Sequence, residues 1–146
     1  MTEEEMLVDN DTYLKAGIHI GTKFKTKQMS PFIYKTRPDG LSVLNVQEID
    51  KRIRLAAKFL VNYAPEEIAI VARREGSFKA LKQMKDLIDV HVFPGRYPPG
   101  IFTNPELENF IEPKVALVAD PWTDKSAVKD ALRAGIVLIG LCDTNN

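Results

Sequence analysis

Between Gly21 and Arg37 the chain reads Gly-Thr-Lys-Phe-Lys-Thr-Lys-Gln-Met-Ser-Pro-Phe-Ile-Tyr-Lys-Thr-Arg, interleaving Lys23, Lys25, Lys27, Lys35 and Arg37 with Phe24, Phe32 and Tyr34. Cations neutralise phosphates, the intervening hydroxyls can donate to phosphate oxygens, and aromatic faces can stack on unpaired bases. Residues 13–40 carry six bases against Asp39 alone, whereas residues 1–12 carry five acids and no base. Such a local excess draws polyanions toward one region of a chain whose 20 bases and 20 acids cancel overall. The pattern predicts an RNA-binding surface; the competing reading is a solvated strand edge guarded by lysines. Arg73 and Arg74 end an apolar run, and Arg96 is expected at the same rim, so these three join the candidate RNA contacts. Lys51, Arg54 and Lys58 add a basic stripe on a helix face, equally compatible with plain solvation.

Catalytic chemistry finds less to work with. The chain has no G-x-G-x-x-G after a strand, no G-x-x-x-x-G-K-[ST] and no G-x-S-x-G, which removes the dinucleotide, P-loop and nucleophile-elbow signatures. The nearest glycine pair, Gly17 and Gly21, precedes the sheet instead of joining a strand to a helix. Asp120 and Asp143 stand just past strand ends, but Asp120-Pro121 reads as turn chemistry and Asp143-Thr144-Asn145 as an ordinary exposed loop. His19, between two isoleucines, reads as a hydrogen-bonded structural histidine, because no carboxylate or nucleophile stands beside it. Cys142 reads as a small buried hydrophobe, and Trp122 and Tyr97 as aromatics covering the core. With one cysteine and two histidines, His19 and His91, no zinc-ligand spacing can be built; neither a metal nor a cofactor is expected.

These side chains need a scaffold, and 146 residues with 45% hydrophobic content suffice for one domain with a packed core. From Leu41 onward, short β-branched runs alternate with helical patterns, as in βαβ units of a parallel sheet. Strands are predicted at Leu41–Val46, Glu67–Ala72, Val90–Phe93, Val115–Ala119 and Ile136–Gly140, several of them apolar on both faces. Asn45 and Glu48 have capping-box spacing ahead of a helix with Ile49, Ile53, Ala56, Leu60 and Tyr63 in a stripe expected to pack on the sheet. Ser77 is expected to cap a second helix with Leu81, Met84 and Ile88 inward. Thr123 is expected to cap a third, with Val128, Ala131 and Leu132 inward and Gly135 ending it. Phe32–Arg37, joined to Leu41 through Pro38-Asp39-Gly40, makes a hairpin that should feed the sheet. Residues 94–113 hold five of the nine prolines and form one long loop with at most a helical turn around Glu106–Phe110. The longest apolar run, Ala134–Cys142, is nine residues, about half a membrane span. No secretory pattern follows the acidic start, so a cytoplasmic protein is expected. The expected organisation is an acidic leader, residues 1–12, and a single domain, residues 13–146, whose last strand is followed by so little chain that it is expected to be either C-terminally truncated or completed by a partner.

Several short motifs occur together and in order: Gly17-Ile-His-Ile-Gly-Thr22, Thr36-Arg-Pro-Asp-Gly-Leu41, Gly95-Arg-Tyr-Pro-Pro-Gly100 with Thr103-Asn-Pro105, Ile111-Glu-Pro113, Asp120-Pro121 and Leu141-Cys-Asp-Thr-Asn145. In this combination the chain resembles the universal small-subunit ribosomal protein two family, in its archaeal and eukaryotic, laminin-receptor-like branch. The resemblance implies a three-layer α/β/α fold with a mostly parallel, flavodoxin-like sheet, preceded by an N-terminal helix and hairpin. It implies a non-catalytic constituent of the small ribosomal subunit, partnered by ribosomal RNA and neighbouring ribosomal proteins, with no membrane and no small-molecule substrate. The alternative sharing the same strand and helix pattern is a flavodoxin-like nucleotide- or flavin-binding enzyme. Two positions depart from the family pattern: Trp122 stands where a basic residue usually follows Asp-Pro, and Tyr97 replaces the commoner Phe.

Overall fold

A computed structural model describes residues 6–146, which fall into two compact units, one ending at Phe59 and taking back Asp143–Asn146, the other Leu60–Cys142. The expected acidic leader lies partly outside the described residues; from Asn10 onward it is already helical.

The first unit contains helix α1 (Asn10–Ala16), strands β1 (Ile33–Thr36) and β2 (Ser42–Leu44), and nearly all of helix α2 (Val46–Leu60). Gly17 ends α1 in the left-handed conformation, φ +73°, which an L side chain adopts only at a cost. The β1–β2 hairpin forms as expected, but β2 does not join the parallel sheet. Both of its edges are already occupied. β1 pairs with it antiparallel on one side, and on the other Leu44 N–H donates to His19 O, Gly21 N–H to Ser42 O, and Ser42 N–H to Thr22 O. No backbone edge is left for a third neighbour. At the start of α2, Asn45 caps by accepting the Gln47 amide, whereas Glu48 pairs with Lys51 instead of closing a capping box. Ile53 is exposed instead of inward, and Leu60, with Tyr63 beyond the helix, supplies the stripe's contact with the sheet's apolar layer.

Asp50 on α2 is buried and accepts the Tyr13 hydroxyl, the Leu7 amide and the Arg54 guanidinium. Burial by itself pushes its carboxyl up, but the bonds from Tyr13, Arg54 and Leu7 outweigh it and hold the group below the usual carboxylate value. A carboxyl lowered by folding stabilises the fold above its unfolded value, about 4, and that contribution is lost as pH falls through the folded value. Thermal melts should therefore show the melting temperature dropping as pH falls from 5 to 3, and Asp50→Asn should flatten that segment of the profile.

The second unit is a four-stranded, all-parallel sheet in the order β4-β3-β5-β6, built from β3 (Ile68–Ala72), β4 (His91–Pro94), β5 (Val115–Val118) and β6 (Val137–Gly140). Helix α3 (Phe78–Ile88) connects β3 to β4 and α4 (Lys125–Ala134) connects β5 to β6. The two-residue period of β3 splits its wholly buried side chains between two layers. Ile68, Ile70 and Ala72 meet Leu81 and Val90 with Met84 on the α3 side, while Ala69 and Val71 meet Ala127, Ala131 and Ile136 on the α4 side. This is the expected three-layer α/β/α arrangement, with β4 and β6 as its edges.

Helix faces and caps differ from expectation at several points. Ile88 and Leu132 point outward, Leu132 being 67% exposed, while Asp130 is buried. Ser77 is the last residue of a 3-10 turn, Glu75–Ser77, and makes no capping bond. Asp124 occupies the cap position of α4, since the Thr123 hydroxyl is already donated to Asp120.

The reason for Asp130 lies in the long loop. Residues 95–114 have no helix, but turns such as Asn104 N–H to Gly100 O and Ile111 N–H to Ile101 O close them on themselves. Tyr97, Ile101 and Phe102 turn inward, and the Phe93, Tyr97 and Phe102 rings pack at centroid distances of 5.0–6.2 Å. Asp130 accepts the Gly100 amide at 2.8 Å and the Tyr97 hydroxyl at 3.3 Å, fastening the loop to α4. Asp130→Ala leaves two donors unsatisfied at an expected cost of about 1–3 kcal/mol. Hydrogen exchange at the Gly100 amide should accelerate accordingly.

Candidate nucleic-acid interface

The Lys23–Lys27 segment has no regular secondary structure, yet its backbone is tied down. Thr144, wholly buried, donates its hydroxyl to Phe24 O at 2.8 Å, accepts the Thr22 amide at 2.9 Å, and offers its carbonyl to the Thr26 amide. The Thr26 hydroxyl in turn donates to Asn146 O. Residues 143–146, expected to be an exposed loop, are thus the clamp of the basic segment. Asp143 serves the same turn by accepting the Thr144 amide.

With the backbone held, the side chains point out. Lys23, Lys25 and Lys27 are exposed, as is Phe24 at 80%, and among the described residues none of the three lysines has an ion-pair partner. Lys35 and Arg37 are also exposed, on and just past β1, with Tyr34 at 69%. Thr22 and Thr36 flank Ser42 from opposite sides of β2, so Lys23 leaves this ribbon level with Arg37, two strand spacings or about 10 Å away. Arg37 is partly committed to Asp39 at 3.3 Å, and Lys35 lies 5.9 Å from the Tyr34 ring centroid. The five predicted cations of this unit are thus all exposed, as are the rings of Phe24 and Tyr34.

The three remaining candidates lie in the second unit. Arg74 is bound to Asp120 at 2.8 Å, which reduces what it can offer a phosphate. Burial pushes the Asp120 carboxyl up, yet the bonds from Thr123 and Arg74 bring it below the ordinary range, so it acts as a turn acceptor and ion-pair partner. Arg73 and Arg96 come together with Tyr97, Thr123, Asp124 and Ser126 around an open cleft of about 270 Å³, beyond the carboxyl ends of β3 and β5. That juxtaposition was not visible in the sequence beyond a shared rim.

Other candidates fall away from chemistry. Tyr97 is core, 2% exposed, so it has no ring face to give a base. Trp122 is exposed, with Lys125 Nζ 3.9 Å from its ring centroid. His19 Nδ1 is buried with no hydrogen-bond partner among the described residues, contrary to the hydrogen-bonded role expected. Cys142, expected to be buried, is exposed; partial burial of its thiol and nearby Asp120 raise its pKa, which leaves little thiolate. Among the described residues no group of His, Cys, Asp and Glu side chains could hold a metal ion, and no helix is long and apolar enough to cross a membrane.

The sequence profile of a family described as "Ribosomal protein S2" matches residues 13–112. Proteins named "Small ribosomal subunit protein uS2" are similar along nearly the whole chain. The one from Nanoarchaeum equitans is 48% identical over 97% of this chain and 71% of its own length. The one from Methanococcus maripaludis strain C5 is 49% identical over 100% of this chain and 66% of its own. The one from Saccharolobus solfataricus is 47% identical over 97% and 61%. The chain therefore spans roughly two thirds of the length of these relatives. A profile match over more than half the residues and identities near one half agree with the motifs and the fold: the chain belongs to the ribosomal protein S2 family.

Proposed function

We propose that this chain is a structural constituent of the small ribosomal subunit, in the cytoplasmic ribosome, and that it binds ribosomal RNA and neighbouring ribosomal proteins without catalysis. The observation that carries the reading is the exposed, unpaired Lys23–Lys27 segment with Phe24 bare beside it, on a backbone fixed by Thr144. A pre-ordered cationic loop contacts phosphates without first losing the conformational freedom of the segment. Lys35 and Arg37 extend the same surface; Arg73, Arg74 and Arg96 are further proposed contacts, Arg74 the weakest because Asp120 already holds it. Residues 13–146 are proposed to work as one domain.

The relatives' names and the family both point to the ribosome. Tagged chain should co-sediment with small ribosomal subunits. If four of the five loop and hairpin cations neutralise phosphates, the duplex-derived slope predicts about 150-fold weaker RNA binding at 200 mM than at 50 mM salt. Absence from the subunit fraction together with a flat salt response would reject the proposal.

A further inference from the structure

Phe24 differs from the other exposed aromatic residues in having both ring faces free. It is 80% exposed, against 69% for Tyr34 and 60% for Trp122. Lys125 Nζ lies 3.9 Å from the Trp122 ring centroid, Lys35 Nζ 5.9 Å from that of Tyr34, and the Arg52 guanidinium 5.1 Å from that of Phe32. Among the described residues no ring and no cation lies against Phe24. A single exposed apolar side chain is ordinary in itself; this one is held out by its backbone. Phe24 O accepts the hydroxyls of both Thr22 and Thr144 at 2.8 Å, and two residues on, the Thr26 amide donates to Thr144 O at 2.9 Å. The ring's anchor is therefore fixed, and with two side-chain torsions it loses little freedom on meeting a partner.

The neighbours and the chemistry of the ring restrict that partner. Lys23 and Lys25 flank Phe24 directly, both exposed and without an ion pair among the described residues, their Cα atoms no more than about 7 Å apart along the chain. They can hold a polyanion's backbone on either side of whatever the ring touches. A phenyl ring carries no donor or acceptor, so it reads neither a base edge nor a phosphate, and its face is all it offers. In an A-form duplex each base face is covered by its neighbours, and the deep, narrow major groove keeps side chains from the base edges. Free base faces occur at unpaired nucleotides and at helix ends.

We propose that Phe24 is a stacking platform for an unpaired RNA base, with Lys23 and Lys25 on the flanking phosphates, so that this segment selects single-stranded over duplex RNA with little regard to base identity. Stacking is tolerant of sequence because every base has a π-face. The inference rests on RNA binding through the lysine segment and names the kind of RNA which that site takes.

The full chain is titrated, by fluorescence anisotropy, with a short unstructured RNA oligomer and with the same sequence as a blunt duplex. Cations alone favour the duplex, whose phosphate charge is denser. The expected order is the reverse, with the single strand bound at least about fivefold more tightly. Phe24→Ala should weaken single-strand binding about tenfold and leave duplex binding, the salt slope and the melting temperature unchanged, because no charge and no internal bond is lost. Phe24→Trp, which keeps a ring face, should retain binding, and Phe24→Leu, which keeps apolar bulk without one, should lose as much as Phe24→Ala. A duplex bound as tightly as the single strand, indifference to Phe24→Ala, or full binding by Phe24→Leu overturns the proposal. Salt-dependent binding of both RNAs with no role for Phe24 would overturn the stacking alone and leave the lysine contacts standing, whereas no binding of either RNA would overturn both.

Discussion

Reversing Lys23, Lys25 and Lys27 to Glu is expected to abolish RNA binding at physiological salt while leaving the fold intact. An exposed unit charge 4 Å from a phosphate gains about 1 kcal/mol even in bulk water, so three lost contacts correspond to ~100-fold or more, and reversal adds repulsion to the loss. The lysines are exposed and have no ion-pair partner among the described residues, so their replacement removes no internal bond. The melting temperature and far-ultraviolet circular dichroism should therefore stay where they are. Filter binding across a salt series should show the logarithmic slope shallower by about 3, one unit per phosphate contact. Normal assembly of the triple variant into small subunits would show that this segment is not the grip.

Gly21→Ala should have the largest effect on stability. A Cβ there would lie 2.5 Å from Thr144 Cγ2 and 2.9 Å from the Ser42 carbonyl oxygen, closer than packed carbon atoms approach. The side chain can turn away, but the Ser42 carbonyl accepts the Gly21 amide and belongs to β2, so the backbone must shift. Overpacking of this kind costs roughly 1–3 kcal/mol, and the position adjoins the Thr144 clamp. A loss near 2 kcal/mol corresponds to roughly 4–8 °C in melting temperature for a chain of this size. Gly76→Ala is the control, since a Cβ there meets nothing within 4 Å. RNA affinity should also fall in Gly21→Ala, through disorder of the lysine segment instead of loss of charge. The salt slope, set by the number of phosphates neutralised, should change less than in the triple variant.

How far the sequence reaches is clear from individual residues. Ile68–Ala72 was legible as a strand covered on both sides because five consecutive apolar side chains leave no face for water, and the structure divides them between two layers. The basic segment was legible because charge and exposure travel together: lysines without acids nearby have no reason to turn inward. Gly135 was legible as a helix end because a local backbone conformation, φ +72°, is a local property. The ribosomal family was legible from short motifs occurring in order.

Partner choice was not legible. The Leu41–Val46 run reads as a strand from its composition, but composition carries no information on which edge it pairs with, and residues 19–22 took the edge the sheet would have needed. Thr144 looked like loop because Cys-Asp-Thr-Asn-Asn has the polarity of one; burial came from a backbone more than a hundred residues away with amides to satisfy. Asp130 is buried because the Gly100 amide and the Tyr97 hydroxyl require an acceptor beneath the loop, a need that its place in the helix does not show. The chain by itself determined which segments become strands and helices, where positive charge accumulates and which family it joins, because those follow from local pattern and residue type. Only the tertiary structure decided which strands pair, what holds the lysine segment still, and that Arg73, Arg96 and Asp124 share a cleft, because hydrogen-bond satisfaction between distant segments is a property of the folded arrangement and leaves no periodic trace.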